Sequence, residues 1–412
     1  MLLCVNFNTS LGRLEANNYG WSLNMLFSPI TSRDYQERIE KTKRMMADQG
    51  VDLMLVYASP WKSGNCRYLT GIRPSRAMME VPEFGYGKQM LTLPVNGDAT
   101  LWVTDFELQW PRKEIALQTV EEEPWMEVKQ WSKLRSSLKE MAKTAKVVGY
   151  EGKWITPWPI YELVREAVGS QKLTDCEILE VQKRVKSKAE IKLMEVASNI
   201  NDRLCEYLVR ELIRYGITEK EVECKLEALG HELGADKVDA NFMVSRDMGW
   251  GHSTDTTIVD GDWLSLHVIL EYEGYNSDND RVIGFGNVSD HAKELANICV
   301  KSHKNGLLAA KPGVKGSDVI KAVKATHQFA AAFPWTGGHG IGLEGEEATV
   351  RDVSTEGEGG DFDNWTLEPG MTFCLHAGAF GHGLQWGTED VILVTKRGSR
   401  SLTKFPRDYI LR

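Results

Sequence analysis

The chain has 412 residues, of which 42% are hydrophobic and 26% charged, and its formal net charge is −9. This composition is typical of a globular protein, and the length predicts two domains rather than one core. The acidic balance, without any long basic block, argues against a nucleic-acid-binding surface. No apolar run reaches the ~20 residues that span a bilayer, and the N-terminal MLLCVNFNTS has no basic segment typical of a signal peptide, so we expect a cytoplasmic protein with no membrane contact.

The first half of the chain alternates helix and strand patterns. SRDYQERIEKTKRMMADQG (32–50) has apolar residues at helical spacing and ends at a glycine, which predicts a helix. VDLMLVYA (51–58) predicts a compact strand, a pattern that NCRYLTG (65–71) and ATLWVTD (99–105) continue, and KVVGYEG (146–152) predicts another short strand. This alternation predicts an α/β domain.

The second half begins with helices and then becomes rich in glycine, strands and turns. The predicted helices run from a junction at 176–192 through Ile213, and over 220–233, 290–310 and 316–332. Strands and helices grouped in blocks predict an α+β domain. We therefore expect an N-terminal domain over 1–180 and a C-terminal domain over 181–412.

Seven cysteines, an odd number without close CxxC spacing, indicate reduced thiols that serve mostly as small core residues, with room for one functional thiol. The thirteen tryptophans are unusual. Several lie near the motifs described below: Trp250, Trp335, Trp365 and Trp386. They are either large core and interface residues or an aromatic pocket for a cationic group.

A histidine inside an apolar strand is the first sign of chemistry. His267 lies in GDWLSLHVILEYEGYNSDNDR (261–281), and a buried imidazole without a partner costs roughly 2–7 kcal/mol. Four other side chains in strand-like or glycine-rich segments could join it: Asp278, His339, His376 and Glu389. Imidazole and carboxylate groups suit Zn, Mn, Fe or Co, and two ions can share bridging carboxylates. Taken alone, the scattered residues are a weak signal for a metal, since Asp278 could be a turn residue and His376 a hydrogen-bonded core histidine.

Several motifs in order give this pattern a context. RIEKTKRMMADQGVDLMLV, NCRYLTGI and RVKSKAEIKLM precede the 261–281 segment, and GGHGIGLEGEE, LEPGMTF and GTEDVILVT follow it. Together they resemble the M24 family of methionine aminopeptidase, Xaa-Pro aminopeptidase, prolidase and creatinase. The resemblance implies a creatinase-like α/β N-terminal domain and an α+β "pita-bread" catalytic domain.

The resemblance also implies a ligand set, which this chain alters. The family's peptidases hold two metal ions with two Asp, one His and two Glu, and the matching residues here are His267, Asp278, His339, His376 and Glu389. His267 and His376 thus replace carboxylates, whereas the two bridging positions remain acidic. We expect one or two divalent ions, Zn, Fe or Mn, with Zn, Fe or a single ion favoured. Creatinase and ectoine hydrolase resemble the same family and use no metal, so a metal-free pocket stays open.

Other residues complete the predicted site. The resemblance makes His252, Asp280 and His376 candidate catalytic residues, because a histidine near neutrality can carry a proton and Asp280 matches a glutamate that creatinase uses on its guanidinium-like substrate. Three residues are candidate substrate contacts: Glu346, Trp250 and Trp386. Prolyl peptidases carry a histidine where this chain has Glu346, and an acid there favours a cationic substrate.

These features predict a hydrolase that cleaves a C–N bond in a small zwitterionic or cationic molecule. Four alternatives stay open: a lyase that cleaves a sulfonium osmolyte by β-elimination, a metal-free amidinohydrolase, an Xaa-Pro peptidase, and a binding module without catalysis. Proteins that resemble this layout are commonly homodimers, so residues 61–73 could border a partner's site.

Overall fold

The computed structural model describes residues 29–60, 62–74, 87–118, 124–152, 155–244, 252–326, 331–332, 337–347, 364–381, 384–408 and 410–411. Within these ranges each half of the chain forms its own sheet. None of the helices in the described part of the chain is long and apolar enough to cross a bilayer.

The N-terminal half contains a mixed sheet flanked by helices. Its strands are Leu53–Ala58 (β1), Gln89–Pro94 (β2), Thr100–Val103 (β3), Glu127–Gln130 (β4), Val148–Glu151 (β5) and Leu173–Asp175 (β6). Its helices are Ser32–Asp48 (α1), Gly64–Thr70 (α2), Gln109–Gln118 (α3), Leu134–Thr144 (α4), Trp158–Val168 (α5) and Ile178–Lys183 (α6). The strand order is β4-β3-β2-β1-β5-β6, in which β1, β2 and β3 pair antiparallel and the other pairs are parallel. The predicted α/β class is confirmed.

The C-terminal half forms a larger and mainly antiparallel sheet. Its helices are Lys188–Tyr207 (α7), Glu219–Glu232 (α8), Asp290–Ala309 (α9) and Gly316–Lys324 (α10). Its strands are Lys237–Val244 (β7), Trp263–Tyr272 (β8), Tyr275–Phe285 (β9), Ala331–Ala332 (β10), Gly337–Gly340 (β11), Thr372–Gly381 (β12), Leu384–Thr395 (β13), Gly398–Ser401 (β14) and Ile410–Leu411 (β15). The main path is β10-β12-β13-β9-β8-β7, with β11 on β12, β14 on β13 and β15 on β9. This confirms the predicted α+β class of the C-terminal half.

A two-residue turn sets the register of the hairpin β8–β9. Glu273 and Gly274 connect the strands with φ angles of 49° and 90°, and positive φ at both central residues is what a type I′ hairpin turn requires. The pairing that follows from this turn brings His267 opposite Asp280. A slip of one residue would move both side chains to the other face of the sheet.

One face of the large sheet is packed by helices and carries none of the predicted metal ligands. Phe373 and Leu375 of β12 lie in a fully buried apolar cluster with Val319 and Val323 of α10. Because side chains alternate along a strand, the residues between them, Cys374 among them, point to the opposite face. The chemistry of the C-terminal half is therefore confined to one side of the sheet.

Two local predictions are wrong. The helix predicted over 316–332 ends at Lys324, and Ala331–Ala332 form strand β10 instead. The segment 65–71 is part of helix α2, not a strand, and it ends at Gly71, whose φ of 70° is the left-handed conformation common after a helix.

The helix predicted to begin in the junction at 176–192 and run through Ile213 is confirmed from Lys188 to Leu212, as α7 followed by a π-helical turn over Leu208–Leu212, and Ser187 caps its start. The Ser187 side chain accepts a hydrogen bond from the Glu190 amide, and the Glu190 carboxylate accepts one from the Ser187 amide.

Candidate active site

Strand pairing brings the predicted ligands together on one face of the large sheet. This face lies opposite the one packed by helices α9 and α10 and is called the open face below. Asp280 of β9 is paired with Glu389 of β13, and Glu389 is in turn paired with His376 of β12. His339 of β11 is paired with Cys374, which lies two residues before His376. Since paired residues share a face, four separate segments meet here without any irregular backbone.

His267 has found the partner that its position demanded. Its Nε2 lies 3.0 Å from Oδ1 of Asp278, the residue diagonal to it on β9. Asp278 is only 2% exposed, whereas the imidazole is about one quarter exposed. The carboxylates of Asp278, Glu389 and Asp280 outweigh burial and raise the pKa of His267 to about 10.

His339 joins the two predicted bridging carboxylates. Its Nε2 lies 3.1 Å from Oε1 of Glu389 and 4.0 Å from Oδ2 of Asp278. Although burial opposes the charged form, the Glu389 carboxylate raises the pKa of His339 to about 9. The His339 hydrogen bond and the nearby imidazoles overcome burial of Glu389 and lower its pKa to about 2, while burial and the Glu389 charge raise the pKa of Asp278.

His376 lies with Asp280 rather than with the bridging carboxylates. Its Nε2 is 3.3 Å from Oδ2 of Asp280. A Cβ atom at Gly387 would lie 2.8 Å from that oxygen and 3.5 Å from the imidazole nitrogen, so the glycine leaves room for this pair. The other oxygen of Asp280 is buried without a hydrogen-bond partner. The arrangement favours a proton-handling pair over a ligand role for His376.

Cys374 belongs to this cluster, and the sequence analysis missed it. Ligand atoms from Asp278, His339, Cys374 and Glu389 all lie within 4.8 Å of one another. We expected the cysteines to be mostly core residues, and this thiol is fully buried. Its position two residues before His376 on a strand was the signal that could have placed it on the same face.

This donor set fits a divalent cation. Among the described residues, the positively charged groups within 4 Å of the Asp278 and Glu389 carboxylates are imidazoles, not lysine or arginine. Asp278 Oδ1 is buried, and the His267 imidazole 3.0 Å away is not aligned for a hydrogen bond to it. Two carboxylates, an imidazole and a thiol suit Zn, Fe or Co. A cation would offset the cost of burying two neighbouring acids.

The remaining predicted site residues that the structure describes lie outside the cluster of histidines and carboxylates, and Glu346 lies at its exposed edge, called the rim below. His252 is exposed and makes no hydrogen bond or ion pair that involves a described residue. Glu346 is exposed, and its charge contributes to the raised pKa of His339. Trp386 is 1% exposed and packs edge-on against Trp263 in the core, which does not support a substrate contact. Trp250 lies outside the described residues.

Residues 62–73 contact their own chain's catalytic half. Lys62 Nζ lies 3.2 Å from Glu344 Oε2 and 3.5 Å from the Glu346 carbonyl oxygen. Arg67 donates to Glu271 at 2.7 Å. The N-terminal half thus reaches the loop that follows His339 within one chain.

The two halves match two known sequence families in the same order. Residues 38–185 match the creatinase/prolidase N-terminal domain, and residues 192–396 match metallopeptidase family M24. The chain belongs to metallopeptidase family M24. The predicted family, fold and enzyme class, an M24-type hydrolase, are thereby confirmed.

Relatives of this M24 protein cover nearly its whole length at low identity. It is 24% identical over 383 residues to a Xaa-Pro dipeptidase of Pyrococcus horikoshii, which covers 91% of this chain and 99% of the dipeptidase. A Xaa-Pro dipeptidase of Pyrococcus furiosus is 25% identical over 385 residues, covering 91% of this chain and 100% of the relative.

Solved structures agree with the described fold. The prolidase from Pyrococcus horikoshii OT3 superposes with a TM-score of 0.74 at 24% identity, covering 91% of this chain and 100% of that one. The X-Pro aminopeptidase from Thermotoga maritima MSB8 gives a TM-score of 0.71 at 21% identity, covering 91% and 99%. At this identity the similarity establishes the fold and leaves the substrate open.

Proposed function

We propose that this M24 protein is a metal-dependent hydrolase that cleaves a C–N bond in a small cationic or zwitterionic substrate. The observation that carries the proposal is the surplus of buried carboxylates on one sheet face, those of Asp278, Asp280 and Glu389. Their charged partners among the described residues are histidines, so the face can accept both a metal ion and a positively charged ligand.

Three residues would hold the ion. Asp278, His339 and Glu389 supply the donors, and His267 lies beside Asp278 as a further imidazole. A divalent ion in such a site supplies Lewis acidity and makes a water nucleophile available near neutral pH. The replacement of two carboxylates by His267 and His376 favours a single ion over the pair held by the family's peptidases.

The pair His376–Asp280 would carry the proton of the reaction. Imidazole is the common general base and acid near neutral pH, and a carboxylate in contact with it fixes the ring and stabilises its protonated form. His376 would take a proton from the attacking water and deliver it to the leaving nitrogen. Asp280 would act through His376 and, with its unpartnered oxygen, toward the positive end of the substrate.

Charge at the rim supports the choice of substrate. Glu344 is already paired with Lys62, whereas the Glu346 carboxylate is exposed and close enough to His339 to affect its pKa. An acid at this position repels the carboxylate end of a dipeptide and attracts an ammonium, guanidinium or amidine group. We therefore expect guanidino and amidino compounds to be better substrates than Xaa-Pro dipeptides.

A substrate panel tests this function directly. The metal-loaded enzyme is assayed with Xaa-Pro dipeptides, guanidino acids, cyclic amidines and sulfonium acids, in water enriched in heavy oxygen. The proposal predicts turnover of a guanidino or amidino compound with one labelled oxygen in the product. Brisk cleavage of Xaa-Pro dipeptides, or products without the label, would overturn it. The variant Glu346→Gln should raise KM for the cationic substrate, whereas Glu166→Gln on the exposed face of α5 should not.

The domain boundary and the homodimer also remain proposals. Helix α6, Ile178–Lys183, crosses the boundary proposed between residues 180 and 181, so we propose instead that the domains join in the non-helical segment 184–187 between α6 and α7. Light scattering of the purified full-length chain tests the homodimer. A monomer at micromolar concentration would contradict it.

A further inference from the structure

We infer that Cys374 is a metal ligand, so that the divalent ion of this protein is bound through sulfur as well as through carboxylate and imidazole. This inference rests on the metal centre proposed above and adds a donor that the sequence comparison with the family does not supply. It makes the site one of Asp278, His339, Cys374 and Glu389, with His376 left for proton transfer.

The first argument is the geometry of the four groups. One ligand atom from each of Asp278, His339, Cys374 and Glu389 lies within 4.8 Å of the other three. In a tetrahedral site with metal–ligand distances of about 2.0–2.3 Å, the ligand atoms lie roughly 3.3–3.8 Å apart. Small side-chain rotations bring the four atoms from the first arrangement to the second, and no strand has to move.

The second argument is independent of the cysteine. Asp278 is 2% exposed, and its Oδ1 is buried and accepts no well-formed hydrogen bond. The imidazole of His267 lies 3.0 Å from that oxygen, and the second buried carboxylate, that of Glu389, belongs to the same cluster. A neutral imidazole does not compensate the charge of a buried carboxylate, so a cation held by Asp278 and Glu389 would stabilise the cluster.

The third argument is what happens to His376. The family resemblance assigns the metal ligand on β12 to this position, but its imidazole contacts Asp280 at 3.3 Å. Cys374 precedes it by one strand repeat, lies opposite His339, and points to the same face. A short thiol side chain replaces the long carboxylate of the family as the donor from this strand.

Sulfur changes which metal the site prefers. A thiolate is a soft ligand that favours Zn, Co or Fe over Mn and Mg. The thiol gives up its proton to solvent when the metal–sulfur bond forms. Two carboxylates and one thiolate carry a formal charge of −3, which more than neutralises a single divalent ion and disfavours its release.

Cobalt spectroscopy tests the inference without any activity assay. The metal-free protein is titrated with Co²⁺, and its visible d–d bands report that the ion is bound, while a near-ultraviolet sulfur-to-cobalt charge-transfer band reports a thiolate ligand. We expect both signals with the native sequence. In Cys374→Ser the charge-transfer band should fall at least tenfold while the d–d bands remain. Cys224→Ser, which removes an exposed thiol, and Cys299→Ser, which changes a buried thiol in another cluster, should keep both.

Each other outcome has a distinct meaning. The d–d bands without a charge-transfer band in the native protein would overturn the sulfur ligand and leave the proposed metal-dependent function standing. Absence of both signals in folded protein would overturn the metal centre itself. Loss of the charge-transfer band in Cys224→Ser alone would show adventitious binding at the surface and overturn the inference. Should Cys374→Ser fail to fold, X-ray absorption of the native zinc protein decides instead, since a sulfur scatterer at about 2.3 Å is expected.

Discussion

Glu389 and Asp390 are neighbours on strand β13, so their side chains lie on opposite faces of the sheet, where they have different charged partners. Asp390 is 0% exposed and is surrounded by donors from the helix side, and their charges hold the pKa of its carboxyl well below the usual range. Arg281 donates to it at 2.7 Å, Thr403 at 2.6 Å and Arg407 at 2.5 Å, and His303 lies 2.9 Å away. Its charge is fully compensated by permanent cations of the protein.

Glu389 is almost as deeply buried, at 5% exposed, but shares its face with Asp278. Its charged neighbours there are imidazoles, which lose their charge when they bind a metal or release a proton. The difference shows that burial of a carboxylate does not by itself mark a functional site. A structural acid is paired with arginines, whereas an acid that is to bind an ion is left with partners that the ion can replace.

The largest expected effect is on stability and concerns Asp390, the carboxylate that is paired with arginines. Asp390→Asn leaves Arg281 buried without its charge partner, so the free energy of unfolding of the metal-free protein should fall by about 3–5 kcal/mol. Urea unfolding measures it. The exposed pair of Asp318 with Lys321 supplies a control, since Asp318→Asn should change stability by less than about 0.5 kcal/mol. A loss below about 1 kcal/mol for Asp390→Asn would remove the contrast between the two faces.

On the open face, the pair His376–Asp280 should matter to turnover and not to metal content. His376→Gln should lower kcat by about 10²–10⁴-fold, the usual contribution of a positioned general acid or base. Elemental analysis of the same sample should still find the native amount of metal. If the metal disappears together with activity, His376 is a ligand and the assignment of the proton-handling pair is wrong.

Asp278 shares the open face with Glu389 and tests whether the carboxylates of that face bind a metal ion. Asp278→Asn should weaken metal binding at least 100-fold, because loss of a direct ligand should exceed the 10–100-fold effect of an outer partner. The metal-free variant should be no less stable than the native chain, since burial and Glu389 already raise the pKa of Asp278. Calorimetric zinc titration measures the affinity, with the exposed Asp239→Asn on β7 as control. Unchanged affinity would contradict the site.

A third kind of buried acid sharpens the contrast. Glu151 accepts hydrogen bonds from the Leu179 amide at 2.8 Å and the Asn65 amide at 3.2 Å, and burial raises its pKa to about 8. The folded protein therefore binds more protons than the unfolded chain between the ordinary glutamate pKa and about 8, and stability falls as the pH rises through that window.

Glu151→Gln removes the titrating carboxyl group, so the free energy of unfolding should fall less steeply as the pH rises. Relative to the native chain, the variant should gain at least about 2 kcal/mol between pH 5 and 8, given about 1.4 kcal/mol for each pKa unit. Urea unfolding over a pH series measures it, and the exposed Glu166→Gln should follow the native curve. Parallel curves for Glu151→Gln and the native chain would show that Glu151 is ionised when folded.

Much of the fold was readable because strand periodicity and glycine turns are local signals. The two-residue turn at Glu273 and Gly274 fixes the pairing of β8 with β9. The GHGIG and LEPGM motifs predicted His339 and His376 as candidate site residues, and strand pairing places both on one face of the sheet. The helix over 65–71 was missed because its short apolar pattern suits a strand as well as a helix.

Which site residues bind the metal and which transfer protons could not be predicted from the sequence, because these roles depend on side-chain contacts across strands. The ligand pattern assigned His376 both as a ligand and as a catalytic group, and its contact with Asp280 decides for the second role in our proposal. Cys374 was missed because an odd count of scattered cysteines gives no sign of which one meets His339. The position of Trp386 near the motifs predicted a substrate contact, and only its packing against Trp263 shows that it is a core residue.

The central claim is that one divalent ion lies between Asp278, His339, Cys374 and Glu389 on the open face of the sheet. Anomalous diffraction from crystals of the zinc-loaded protein, recorded on both sides of the zinc absorption edge, locates such an ion directly. We predict one anomalous peak per chain, enclosed by those four side chains, with His376 still in contact with Asp280. An empty cluster, or a peak held by His376 and away from Cys374, would contradict the account.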